Sequence, residues 1–124
     1  MVQYILMFVA TLSGSIEAHQ FTPTYPELSG SYVKGISSAN MQLFNRRNDA
    51  SYYEIGVFDK DWNKVPFATP TKIIRVDYLK TVKFDVFIRN KDKSRAVYVC
   101  TKSKLIVDGS AITSVSSRIC SKFR

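Results

Sequence analysis

Histidine is almost missing from this chain: His19 is the single one in 124 residues. A Ser-His or Cys-His nucleophile system needs a histidine near the nucleophile, and no second imidazole exists to supply one. Metal-ligand spacing is missing too, because two cysteines twenty positions apart do not make a zinc site. There is no glycine-rich phosphate cradle. The acids Glu54, Asp59, Asp61, Asp77 and Asp85 fall mostly in turns or on strand faces, which is a poor basis for paired-carboxylate chemistry. Repeats, low-complexity tracts and linkers are absent, and no window carries a helical apolar stripe. These gaps argue against an enzyme and against a resident cofactor, and they favour a non-enzymatic binding or structural role. A freed His19 amine and imidazole could chelate copper, but such sites recruit a second histidine. A disordered first residue is the expectation.

What is present is a core and a charge. The chain is 45% hydrophobic, enough for one globular domain. Lys and Arg total 18 against 10 Asp and Glu, a formal net charge of +8. That excess favours anionic partners such as lipid surfaces, glycans, nucleic acid or acidic proteins. The bases are spread along the chain, and strand alternation would gather many of them on one outer face.

The N-terminus reads as a signal peptide over residues 1–18, followed by a domain over 19–124. Tyr4 to Leu12 is an apolar run of h-region length, Ser13 to Ser15 break it, and Ala18 places a small residue at the cut. No Lys or Arg precedes the run. A first core strand or a short helix is the competing reading, and the run falls short of the roughly 20 apolar residues of a membrane span. Export to the periplasm or outside the cell agrees with an even cysteine count, which favours a Cys100–Cys120 disulfide over two buried thiols.

Short β-rich runs alternate with turns at roughly 8 to 12 residue spacing, the pattern of an all-β sandwich or barrel. Seven to eight strands are predicted, in an immunoglobulin-like Greek-key β-sandwich. Phe21–Leu28, broken by Pro23 and Pro26, suits an edge strand. Ser31–Ile36, Asn40–Arg46, Tyr52–Phe58, Lys64–Phe67 and Lys72–Val76 follow. Val82–Arg89 alternates most clearly, with Phe87 as the exception. Asn90–Ser94 is a charged turn. Ala96–Val107 and Ala111–Phe123 form a hairpin about Asp108-Gly109, a strong hairpin dipeptide. A two-residue loop there pairs residues whose numbers sum to 217, whereas the cysteine numbers sum to 220. A longer loop or a bulge is needed to set Cys100 opposite Cys120.

The run Val65–Ile88 (VPFATPTKIIRVDYLKTVKFDVFI) resembles the N-terminal immunoglobulin-like domain of periplasmic pilus-assembly chaperones. Phe21–Leu28, Met41–Asn45 with Tyr52–Val57, and Ala96–Cys100 look like further strands of that family. The resemblance implies strand donation, in which a free edge pairs with a client and alternate apolar side chains fill its groove. The donor would be Ala111–Phe123, with Val115 and Ile119 as groove fillers and Arg118 or Lys122 as the anchor for a client carboxylate. Tyr25 stands where the family has an arginine, and the family's second domain is not in this chain.

Two functions are therefore expected. One is an exported assembly factor or structural protein, chaperone-like in mode as the resemblance implies, acting on a protein partner through an edge strand and a basic face. The other is a secreted module for anionic glycan, lipid or nucleic acid. For nucleic acid, Tyr52, Tyr53, Phe58 and Trp62 offer stacking surfaces, although aromatics at period two more often lie in a core.

Overall fold

A computed structural model describes residues 19–104 and 116–124. Eight strands lie within them: β1 (Gln20–Thr22), β2 (Ser29–Gly30), β3 (Ile36–Phe44), β4 (Tyr52–Phe58), β5 (Ile73–Arg75), β6 (Thr81–Arg89), β7 (Tyr98–Lys104) and β8 (Arg118–Lys122). The fold is all-β, with two antiparallel sheets packed as a sandwich. In sheet A, β1 and β2 pair with opposite ends of β3, and β6 pairs with β3 along its whole length. Sheet B has the order β5-β4-β7-β8. The β3–β6 and β4–β7 neighbours are non-consecutive, as Greek-key connections require.

Alternation explains which side chains meet. On β4, Tyr53, Ile55 and Val57 are buried, while Glu54, Gly56 and Phe58 face outward. On β6, Phe84, Val86 and Ile88 are buried, and they meet Met41 and Leu43 of β3 in one cluster. A half-buried antiparallel strand needs that period of two.

Several boundaries differ from the sequence expectation. The first strand stops at Thr22, before a cis Thr22–Pro23 bond, and resumes only as Ser29–Gly30. A proline has no N–H for the ladder, so the segment between them runs beside the sheet. The predicted Ser31–Ile36 piece is a turn, closed by Ser31 N–H to the Ile36 carbonyl, and β3 starts at Ile36 instead of Asn40. The Asn90–Ser94 turn contains a 3-10 turn, Asn90–Asp92, in which Arg89 and Arg95 both bond the buried Asp92 carboxylate. These two guanidinium groups hold that carboxyl below its ordinary range.

The predicted Lys64–Phe67 strand is only a bridge. Val65 N–H donates to Val57 O in sheet B, but Ala68 exchanges backbone bonds with Phe87 of sheet A. The chain returns to sheet B at Lys72, whose carbonyl accepts from Ile55 N–H. This excursion leaves a gap along the edge of β4 beside Gly56.

Cys100 and Cys120 are bridged, with an S–S distance of 2.03 Å. They face each other directly, in a register whose residue numbers sum to 220 throughout β7 and β8. The hairpin turn about Asp108-Gly109, the signal peptide over 1–18 and Val115 lie outside the described residues.

Candidate ligand-binding face

Sheet B has two chemically opposite faces near β7 and β8. On the inner face of β7, hydroxyls replace aliphatics toward the Lys104 end, where Thr101 and Ser103 are buried. Thr101 and Ser103 are matched by polar groups from outside the strand, whereas Ser121, opposite Val99, is buried with no hydrogen-bond partner for its hydroxyl. Arg47 donates to Ser103 Oγ at 3.0 Å and Ser117 Oγ at 3.3 Å, and it clamps Asp49 through Nε and Nη2. Asn45 donates to the Ala50 and Val76 carbonyls, while its Oδ1 accepts from Tyr53 Oη and Arg47 N–H.

His19 belongs to this network and is not a disordered first residue. It is 1% exposed, with Nε2 2.7 Å from Thr101 Oγ1 and Nδ1 3.2 Å from Ser117 Oγ. Burial pushes its pKa down to about 4, reinforced by the Arg47 charge and opposed by the Thr101 bond. The imidazole is therefore neutral, with both nitrogens engaged. Tyr53, packed 4.5 Å from it, has its hydroxyl pushed up to about 12 by burial. His19, Asn45, Arg47, Tyr53, Thr101 and Ser103 satisfy one another, which is what a buried network must do. Among the described residues, no group of three His, Cys, Asp or Glu side chains could hold a metal ion.

The outer face is built differently. The Asp59–Asn63 turn is locked by Asp59 Oδ1, which accepts from Asp61 N–H and Asn63 N–H, and these bonds hold the Asp59 carboxyl below its ordinary range. Within that turn Trp62 takes a left-handed backbone, φ 65°, which few non-glycine residues adopt. The turn swings the indole back over the sheet. Its ring lies 4.3 Å from Tyr98 at an interplanar angle of 4°, and 6.0 Å from Phe58. The Arg118 guanidinium sits 4.6 Å from the Trp62 ring and 4.8 Å from Phe58. Trp62 nevertheless remains 48% exposed. Exposed aromatic surface rimmed by cations is a feature of interaction sites.

The register adds a second anomaly. Lys102 is directly opposite Arg118, in the pair position between ladder hydrogen bonds where side chains are closest. Like charges placed so oppose folding. Neither has a carboxylate within ion-pair distance among the described residues; nearby Glu54 pairs instead with Lys104 at 3.4 Å. A cavity of about 160 Å³ lies between these cations, walled by Phe58 and Glu54 and floored by Gly56 and Cys100.

The residues singled out from the sequence distribute as follows. Arg118 and Lys122 are exposed on β8, whereas Ile119 turns inward and packs against the core. β8 is the edge strand of sheet B, but Lys122 N–H donates to Thr24 O and Arg124 N–H to Pro26 O. Of the proposed stacking aromatics, Tyr53 is core, while Phe58 and Trp62 join the outer cluster. Tyr98, Lys102 and Glu54 were missed as site residues; fixing the hairpin register by the two cysteines would have placed Tyr98 and Lys102 on the face of Arg118. Among the described residues no helix is long and apolar enough to cross a membrane. No protein-family model matches the chain, and no curated protein matches it.

Proposed function

We propose that this protein is an exported, non-enzymatic binding module that holds an anionic glycan on the outer face of sheet B. The observation that carries this reading is the Lys102–Arg118 pair: two cations set face to face, without a described carboxylate partner, beside an exposed Trp62. A bound carboxylate or sulfate relieves their repulsion. Phe58 and Trp62 offer apolar ring surface to a sugar. The Cys100–Cys120 bridge supports an oxidising compartment, where glycans are abundant and nucleic acid is scarce.

The test is retention of the full chain on immobilised polygalacturonate across a salt series. Retention that falls steeply with salt, and is lost in Lys102→Ala/Arg118→Ala, supports the reading. Absence of retention at low salt overturns it.

Strand addition to a protein client, as in pilus-assembly chaperones, is the second reading, and it draws on the edge position of β8. The segment over residues 24–26 already occupies part of that edge. Strand addition would show as salt-insensitive capture of a protein, unaffected by the Lys102 and Arg118 substitutions.

A further inference from the structure

A second cavity, of about 400 Å³, opens in the gap along β4 where the chain leaves sheet B between Val65 and Lys72. Pro66, Phe67 and Val57 line it, with Lys64 and Lys72 at its rim. Both lysines are exposed, and neither has an ion-pair partner among the described residues. Lys72 Nζ stands 5.5 Å from the Phe67 ring centroid, so this cavity repeats the cation-and-aromatic chemistry of the first.

The two cavities share Glu54, Gly56 and Phe58. Gly56 makes this possible: a Cβ there would lie 2.9 Å from Phe58 Cε2, so only glycine lets the ring settle on the strand. The ring is a low partition between two cation pairs. Arg118 on β8 and the lysines beyond β4 are separated by three inter-strand spacings, roughly 14 Å.

We propose that the ligand is a glycan chain that crosses sheet B perpendicular to the strands. One anionic group sits between Lys102 and Arg118, a sugar ring lies against Phe58, and a second anionic group sits at Lys64 and Lys72. This rests on the anionic-glycan reading above and adds that the ligand is an oligomer bound at two anion subsites. Glu54, at the crossing point, separates glycan from nucleic acid. Its carboxylate accepts hydrogen bonds from sugar hydroxyls, which a uronic-acid chain offers on every ring and a deoxyribose phosphodiester backbone does not.

Trp62 is the single tryptophan, so its fluorescence reports the face directly. The full chain is titrated with digalacturonate, hexagalacturonate and a single-stranded hexathymidylate. The hexasaccharide is expected to bind roughly tenfold or more tightly than the disaccharide, because the second subsite engages as a linked contact. Lys64→Glu/Lys72→Glu should reduce hexasaccharide affinity to the disaccharide level and leave the disaccharide unchanged. Arg118→Glu should weaken both. Unaltered thermal midpoints establish that these surface variants fold. Equal affinity of di- and hexasaccharide overturns the two-subsite track while the anionic-glycan reading stands. Tighter binding of hexathymidylate than of hexagalacturonate overturns the choice of glycan, and binding of neither saccharide overturns both readings.

Discussion

Arg47 and Arg118 lie on opposite sides of sheet B and show how burial divides structural charge from available charge. Arg47 is 3% exposed, and it bonds Asp49, Ser103 and Ser117. A charge removed from water must be paired and hydrogen-bonded, and this one is. Arg118 is exposed, rests on Phe58 and Trp62, and faces another cation. Water screens that repulsion, so the fold tolerates it at small cost. The interior spends its polar groups on one another, whereas the outer face keeps its cations open to a ligand.

That contrast can be broken most severely from the inside. Asp49→Ala leaves the Arg47 guanidinium buried without its carboxylate, and it should cost about 3 to 5 kcal/mol. Urea unfolding measures this, and a loss below about 1 kcal/mol would show that Arg47 finds water or another partner. Next, Cys100→Ser/Cys120→Ser removes the bridge under the outer face. For a loop of this size the expected loss is about 3 kcal/mol, read from denaturant midpoints with and without reductant.

The third effect is a pH dependence set by His19. Its pKa is near 4 when folded and near 6.5 when unfolded. Between those values the unfolded chain binds the extra proton, so stability is fully present above pH 6.5 and is lost as pH falls toward 4. The change is on the order of 3 kcal/mol, and His19→Gln should flatten it in urea midpoints taken from pH 7 to 4. The Asp49 carboxyl, held below its ordinary range by the Arg47 hydrogen bond, adds a separate loss at more acid pH.

The smallest effect on stability is the sharpest for the comparison. Arg118→Ala should move the unfolding free energy by under about 0.5 kcal/mol, as an exposed substitution does. Retention on polygalacturonate should fall in the same variant. If Arg118→Ala instead destabilised the protein as Asp49→Ala is expected to, the outer stack would be structural and the division between the two faces would fail.

The legibility of the fold followed local pattern. β4 and β6 were readable because Tyr53, Ile55 and Val57, and then Phe84, Val86 and Ile88, alternate with polar or small neighbours. β1 and β2 were blurred because Pro23 and Pro26 interrupt a run that otherwise has strand composition. The excursion over 64–72 was illegible, since a chain that changes sheets keeps its strand-like residues and changes only its partners. Of the candidate face, Arg118, Phe58 and Trp62 had been singled out one by one. Nothing local shows that Trp62 folds back onto Tyr98, or that Lys102 opposes Arg118, because both depend on pairing between strands distant in sequence.

Composition and alternation alone settled that this chain forms an all-β domain with a large positive charge, since a period of two and apolar content are local properties. The cysteine count favoured a bridge but left its geometry to the hairpin register. Only the tertiary structure decided which polar residues are buried and satisfied and which are left open, because burial is a property of the packed sheets. His19 is the clearest case: an isolated histidine in the sequence, it becomes a neutral interior hydrogen-bonding group once the two sheets close around it.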